Sequence, residues 1–237
     1  MRLELDKFNS EVFDLKMANI IFEDQAITQN DVIQLVDKAK KDGFNHLSAK
    51  IDIMEKERLN AFLPCGFNLV DTQIMYEIPL RDNLGERNTG VTRPYDISDK
   101  ARILEIAKSA YKIDRFHSDP SLPNDKCDNY YERWTRNLCE GLADKVFVID
   151  TDEYTSGFIT LKYDGKTARV VLAAIDSRFQ GNGYFTAIMT DVLHYLNNNG
   201  FDFLYYGTQL ANIPVLRTVG RLNGVPKFSN HVLHKML

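Results

Sequence analysis

Along the first third of the chain, the spacing of apolar residues alternates between that of helices and that of strands. Thr28 can cap a helix whose apolar residues share one face and which ends at Gly43. The residues after it predict a strand over 44–51, a helix over 54–63 and strands over 67–70 and 73–78. This first unit is therefore predicted to be α/β but poor in strands.

A polar, turn-rich stretch without apolar periodicity follows and predicts a linker over residues 81–88. We expect a small α/β domain over 1–80 and a larger domain over 89–237. The segment around Gly43-Phe44 resembles that around Gly200-Phe201, since each joins a helix end to a strand. The first unit is thus either a duplicated, degenerate half of the second or a chance likeness between two α/β segments.

The second unit changes from helices to strands and back. After two predicted helices, the Asp164-Gly165 turn joins strands of an antiparallel meander. The strand Ala168–Ile175 is apolar after Arg169, as expected for a strand covered on both faces. It leads into a glycine-containing loop, after which the pattern predicts a helix over 186–199, a strand over 203–206, a helix from about Asn212 and a final strand from about Lys227.

Composition and charge narrow the function classes. The chain has 237 residues with 29 Lys and Arg against 33 Asp and Glu, and no basic run suggests nucleic-acid binding. The sequence contains no apolar stretch of 18 residues that could span a membrane. The three cysteines, Cys65, Cys127 and Cys139, show no metal-ligand or disulfide spacing. We therefore expect a cytoplasmic protein without nucleic-acid or membrane partners and without a metal. A homodimer is possible.

The strongest chemical signal is the loop from Gln180 to Tyr184 between a buried strand and a helix. Backbone N–H groups at a helix N-terminus attract anions, and glycine lets a phosphate approach the main chain. The alternative interpretation is a tight turn that binds no ligand, which could have the same residues. The sequence lacks the GxxxxGK[ST] pattern of a Walker A loop, and a dinucleotide fingerprint would need glycine at Thr186 and a parallel βαβ unit.

This order of meander, apolar strand, glycine loop, helix, strand and Asn-initiated helix resembles the GNAT superfamily of acyl-CoA-dependent N-acetyltransferases. The family signature Gln/Arg-x-x-Gly-x-Gly/Ala falls on Gln180, Gly183 and Phe185, or in a second frame on Arg178, Gly181 and Gly183. Nearly the whole chain, including the phrase RFHSDP at residues 115–120, is most similar to TDP-fucosamine acetyltransferase and its two-domain relatives. The resemblance implies an α/β (α+β) GNAT-type acyl-CoA-binding fold with a mixed, mostly antiparallel central sheet, preceded by a smaller half-GNAT-like α/β domain.

The resemblance also implies where acetyl-CoA binds. Gln180 would open the loop whose amides at Gly181, Asn182, Gly183 and Tyr184 hold the pyrophosphate. The backbones of Ala173 and Ile175 would pair with the pantetheine arm, although both residues could equally be plain core. Asn212 would hydrogen-bond near the thioester or the pantetheine.

The resemblance leaves the proton donor for the departing thiolate open. The family tyrosine seven residues after Asn212 is replaced by Val219, so water, Tyr205 or Tyr206 would serve, with Tyr206 as the chosen candidate. His117 and Asp119 are expected to handle the acceptor amine, because histidine titrates near neutral pH. The alternative is that Asp119-Pro120 merely shapes the loop and that His117 is solvated.

Arg115, Phe116 and His117 are expected to contact the substrate, with Arg115 pairing to a phosphate or merely to a nearby carboxylate. The spacing of Tyr130, Tyr131 and Trp134 indicates core packing, and His231 and His234 are interpreted as structural.

The resulting hypothesis is an enzyme that transfers an acetyl group from acetyl-CoA to the amino group of a nucleotide-linked, dTDP-type deoxy-amino sugar. The alternatives are acylation of a protein N-terminus or small amine, and a non-catalytic CoA-binding module, which Val219 and Phe185 would favour.

Overall fold

A computed structural model describes residues 1–23, 26–80, 92–151 and 154–237. The strands of this part are β1 Arg2–Leu5, β2 Met17–Ile21, β3 His46–Asp52, β4 Asn68–Pro79, β5 Thr92–Pro94, β6 Lys145–Asp150, β7 Thr155–Asp164, β8 Thr167–Ile175, β9 Phe203–Gln209 and β10 Val225–Met236. Its α-helices are α1 Lys7–Phe13, α2 Gln29–Lys41, α3 Lys56–Phe62, α4 Lys100–Ala110, α5 Asn124–Asn137, α6 Tyr184–Asn198 and α7 Ile213–Arg221.

All of these strands belong to one sheet with the order β1-β2-β3-β10-β4-β9-β8-β7-β6-β5. Neighbouring strands are antiparallel except for the pairs β2–β3 and β8–β9, which are parallel. The expected mixed, mostly antiparallel sheet is thereby confirmed.

Helices cover the sheet on both sides because strand side chains alternate between its faces. In β6, for example, Phe147 and Ile149 pack into a core with α6 and α7, whereas Val148 packs into a core with α1, α4 and α5. A third core joins α2 and α3 to β2, β3 and β10. The apolar periods of the sequence thus translate into three packed layers.

Local sequence signals predicted several caps and turns correctly. Thr28 caps α2 as expected, with a reciprocal bond to Asp31, and Gly165 adopts φ +56° in the β7–β8 turn. The predicted pair of strands at 67–78 is instead the continuous β4.

The prediction that the first unit is poor in strands was wrong. β1 and β2 pair there with each other, and β2 also pairs with β3, so these short segments owe their strand geometry to neighbours distant in sequence.

The predicted linker 81–88 lies outside the described residues. On either side of it, the sheet is continuous, because β10 at the end of the chain pairs with both β3 and β4. The last strand of the second predicted domain therefore completes the sheet of the first. The division into 1–80 and 89–237, and the idea of a duplicated half-domain, stay predictions.

Candidate active site

β8 and β9 separate along their length and leave a wedge between them. Their parallel pairing covers only Thr167–Arg169 of β8 against Phe203–Tyr205 of β9, yet the two strands continue to Ile175 and Gln209. At Val171 the register of β8 against β7 shifts by one residue, which is a β-bulge. A bulge bends its strand, and this one turns β8 away from β9.

Backbone groups of β8 point into this wedge. The amide of Asp176 donates to the carbonyl of Ser156 on β7 at 2.8 Å. Because alternate residues of an antiparallel pair face the same neighbour, Ala173 and Ile175 direct their backbones the other way, toward β9. Their carbonyls accept bonds from Tyr111 Oη and Gln180 Nε2, each at 3.0 Å. The two residues predicted to pair with an extended ligand thus line the open edge.

The glycine loop leaves the N-terminus of α6 open. Gly181 and Gly183 have φ of +81° and +84°, a conformation that other residues adopt only with strain. A Cβ at either glycine would meet no atom within 4 Å, so side chains do not plug the space in front of them. No side chain caps the first turn of α6. Such a cradle of free amides fits a diphosphate.

Asp176, which the sequence analysis did not single out, holds the start of this loop. Its carboxylate accepts a bond from the Arg178 amide at 2.9 Å and pairs with the guanidinium groups of Arg178 and of Arg102 on α4. These bonds, that from Arg178 foremost, hold the pKa of Asp176 well below its usual range. The available signal was a carboxylate directly after an apolar strand and before a turn.

At the far side of the wedge, Asn212 and Val219 belong to α7. Asn212 precedes the helix, and its side chain makes no capping bond, which leaves the amide available to a ligand. Val219 is fully buried in the core with α6. The position where the family carries a tyrosine is therefore part of the packing between helix and sheet.

Tyr205 and Tyr206 lie on opposite faces of β9. The Tyr205 hydroxyl donates to Glu77 at 2.7 Å, whereas the Tyr206 ring is buried in the core with α6 and contacts Phe185 at a centroid distance of 5.9 Å. Burial raises the pKa of Tyr206 far above its ordinary value, so the phenol keeps its proton at neutral pH. Of the two hydroxyls, that of Tyr206 is not bound to a carboxylate in the described structure.

The loop between α4 and α5 is more deeply embedded than predicted. Phe116 is buried between Phe13 and Tyr130, with centroid distances of 5.1 and 4.5 Å. The ring belongs to the core with α1 and α5, as Tyr130 itself was predicted to do. Phe116 thus packs in the core, and its expected substrate contact stays a prediction.

His117 is held between two carboxylates. Its Nδ1 contacts Asp114 at 2.5 Å and its Nε2 contacts Asp128 at 3.0 Å. These contacts tie the imidazole to its own loop and to α5. The expected catalytic and substrate-binding roles of His117 stay predictions.

Asp119 is buried against two histidines from distant parts of the chain. One of its oxygens contacts His46 on β3 at 3.2 Å and His234 on β10 at 2.9 Å, and the other binds Ser121. Although burial raises the pKa of Asp119, these bonds hold it well below its usual range, and burial lowers the pKa of His234 to about 4. Asp119 thereby joins the loop to β3 and β10, and its expected role at the acceptor amine stays a prediction.

The same three side chains offer nitrogen and oxygen atoms within 4.8 Å of one another, a juxtaposition that the sequence did not predict. Hydrogen bonding accounts for the short contacts. The interpretation of His234 as structural fits this geometry, and His231 contacts the Thr72 hydroxyl at 3.0 Å.

Comparison with known proteins places this geometry in a family. The model of the acetyltransferase (GNAT) family matches residues 102–224, which include most of α4, the bulged β8, the glycine loop and α7. The chain belongs to the GNAT acetyltransferase family. In the described residues, no helix is long and apolar enough to cross a membrane.

A curated relative has low sequence identity to this chain. The spore coat polysaccharide biosynthesis protein SpsD of Bacillus subtilis is 22% identical over 141 residues, which cover 60% of this chain and 49% of SpsD. The chain thus aligns with about half the length of that curated relative.

Solved structures share the GNAT fold over the full chain. A conserved protein of unknown function from Staphylococcus epidermidis has a TM-score of 0.69 at 13% identity, covering 99% of this chain and 91% of its own. A GCN5-related N-acetyltransferase from Sphaerobacter thermophilus also has a TM-score of 0.69, at 12% identity, covering 99% and 75%.

Proposed function

We propose that this GNAT protein is an acetyl-CoA-dependent N-acetyltransferase whose acceptor is the amino group of a nucleotide-linked deoxy-amino sugar. The observation that carries the proposal is the open N-terminus of α6, where a Cβ at Gly181 or Gly183 would meet no atom within 4 Å. This loop follows directly on β8, whose backbone at Ala173 and Ile175 is not paired with β9 and suits an extended, amide-containing arm.

Acetyl-CoA, when bound, supplies the thioester that the acceptor amine attacks. The loop from Gly181 to Tyr184 would hold its pyrophosphate, and the edge of β8 at Ala173 and Ile175 would orient its pantetheine. The Asn212 amide, free of a capping bond, would hydrogen-bond near the thioester. These contacts fix the reacting carbonyl relative to the acceptor, which is how positioning lowers the barrier to attack.

Tyr206 is the proposed proton donor. As the amine nitrogen bonds to the carbonyl carbon and the carbon–sulfur bond breaks, the sulfur takes the phenolic proton. The phenolate regains a proton through solvent from the nitrogen, which loses one on becoming an amide. Tyr206 carries its proton at neutral pH, as any tyrosine does, and the pKa that burial raises makes this phenol a weaker acid than an exposed one.

The acceptor class rests on two supports of different kinds. SpsD carries a name in polysaccharide biosynthesis, and the sequence around Arg115 resembles acetyltransferases that act on dTDP-linked amino sugars. Arg115 is partly buried, and its guanidinium lies over the Phe116 ring at 4.5 Å. A guanidinium group is suited to a phosphate.

The test is release of free thiol from acetyl-CoA in the presence of candidate amines. We expect rapid release with a dTDP-linked amino-deoxysugar and slow release with a peptide N-terminus or a polyamine. Preference for the peptide or the polyamine would replace the acceptor class.

One observation favours a second candidate function, a GNAT module that binds CoA without turnover. Val219 fills the place of the family's acidic hydroxyl with core packing. Saturable CoA binding without thiol release across the whole panel of amines would establish that alternative and refute catalysis.

A further inference from the structure

The separation of β8 from β9 deprives part of β8 of its strand partner. Within the described residues, the parallel pairing ends at Arg169, so the carbonyls of Ala173 and Ile175 have no partner on β9. A partly buried carbonyl without a hydrogen-bond donor is costly, because it has lost water without gaining another partner. The edge of β8 therefore needs donors from elsewhere in the protein.

Side chains of the protein itself supply these donors. Tyr111 Oη donates to the Ala173 carbonyl and Gln180 Nε2 donates to the Ile175 carbonyl, each at 3.0 Å. In a sheet, such bonds run across the strand direction and close to the plane of the carbonyl group. Both donor atoms thus lie at the open edge, where a neighbouring strand or an extended ligand would place its N–H groups.

Tyr111 reaches this edge from the side of the sheet that α4 and α5 cover. It is the first residue after α4, and its ring stacks on that of Tyr131 in α5 with a centroid distance of 4.1 Å and an interplanar angle of 17°. This stack holds the ring without using the hydroxyl. Tyr111 is half-buried, so water can replace the carbonyl as the partner of its hydroxyl.

The Ala173 carbonyl is also the group along which the proposed function places the pantetheine arm. That arm contains amide N–H groups, and a bound amide nitrogen would lie about 2.9 Å from the carbonyl oxygen. The Tyr111 hydroxyl occupies a position at this distance from the same oxygen in the unliganded protein. The hydroxyl and the arm therefore compete for one acceptor.

We propose that the Tyr111 hydroxyl is a placeholder for the pantetheine arm, a donor that holds the Ala173 carbonyl until an amide of bound CoA replaces it. Tyr111 then stabilises the unliganded protein and weakens cofactor binding by the strength of one hydrogen bond. This inference rests on the proposed function, because the arm is taken to lie along β8.

Titration calorimetry with CoA tests the placeholder in Tyr111→Phe, which keeps the stacked ring and removes only the hydroxyl. We expect the Kd for CoA to fall by about fivefold, the effect of one neutral hydrogen bond that no longer has to be broken. ADP, which has a diphosphate but no pantetheine arm, should bind both proteins with the same Kd. Tyr205→Phe is the matched control: it also removes one hydroxyl hydrogen bond, to Glu77 at 2.7 Å, and should leave the Kd for CoA unchanged.

Thermal unfolding separates a placeholder from a purely structural residue. If the hydroxyl binds Ala173 only in the unliganded protein, Tyr111→Phe should lower the Tm without CoA, and the difference should vanish at saturating CoA. A hydroxyl that binds Ala173 in both states would give the same loss of Tm with and without CoA and an unchanged Kd.

An equal or higher Kd for CoA in Tyr111→Phe would overturn the placeholder, and so would an equally large gain in affinity for ADP. Thiol release by the unaltered protein together with an equal Kd would keep the proposed function while the placeholder fails. Tighter CoA binding in Tyr111→Phe without thiol release from any amine would keep the placeholder while the proposed function fails. Absence of saturable CoA binding to both proteins would overturn both.

Discussion

Replacing Gly183 with glutamate should abolish CoA binding while the protein stays folded. Gly183 has φ +84°, so any L-residue there costs about 1–2 kcal/mol of stability. The new side chain would meet no protein atom within 4 Å at its Cβ and would therefore extend into the open cradle. Its carboxylate would then lie beside the bound pyrophosphate.

The electrostatic penalty sets the size of the effect. A carboxylate about 4 Å from one phosphate charge costs about 4 kcal/mol at an effective dielectric constant of about 20, which corresponds to a roughly thousandfold rise in Kd. Titration calorimetry with CoA measures this directly. Gly183→Ala introduces the backbone strain without the charge and should bind CoA far better than Gly183→Glu.

Gly165→Glu is the matched control. Gly165 also has a positive φ and open space around it, but it lies in the β7–β8 turn away from the loop. Both glutamate variants should lose comparable thermal stability, and Gly165→Glu alone should keep normal CoA affinity. Normal affinity in a folded Gly183→Glu protein would refute the view that the loop holds a diphosphate.

Three further outcomes follow from contacts at and around the site. Tyr206→Phe should lower kcat by about 10²-fold without changing the KM for acetyl-CoA. Tyr205→Phe, on the opposite face of β9, should leave kcat unchanged. Equal kcat values in the two variants would exclude Tyr206 as the proton donor. Asp176→Ala should lower the free energy of unfolding by about 2 kcal/mol and should weaken CoA binding, because Arg102 and Arg178 lose the carboxylate that both contact. Unchanged CoA affinity would mean that the loop keeps its shape without Asp176. The pKa of His234 in the folded protein is about 4, below the ordinary value of about 6.5, so the unfolded chain takes up this proton at a higher pH than the folded protein does. The free energy of unfolding should therefore fall by about 3 kcal/mol as the pH drops from 6.5 to 4. Denaturant unfolding of His234→Gln at the same pH values should not show this fall.

Much of the second predicted domain could be derived from the sequence. The Asp164-Gly165 turn, the apolar run of β8 and the glycines before α6 are local signals, in which residues close in sequence determine the backbone conformation. Gly181 and Gly183 adopt the positive φ for which glycine is suited, and their surroundings are open as the hypothesis requires. The glycine loop was therefore predicted correctly as a structural element, and its ligand stays a proposal.

The roles assigned to the acceptor loop could not be derived in this way. RFHSDP has the polar composition of a ligand-binding loop, but composition does not reveal what covers a loop. Asp119 contacts His46 and His234, which lie 73 and 115 residues away in sequence. Those partners exist only because β10 inserts between β3 and β4 and brings the histidines beneath the loop.

Hydrophobic period, turn residues and the loop signature were enough to establish the element types of the second unit and its family resemblance, because each depends on neighbours within a few residues. The wedge between β8 and β9, the burial of Phe116 and Asp119, and the contacts of His117 with two carboxylates were decided by tertiary structure. Strand order and sheet curvature arise from burying all the apolar faces of the chain together, and no local stretch of sequence carries that information.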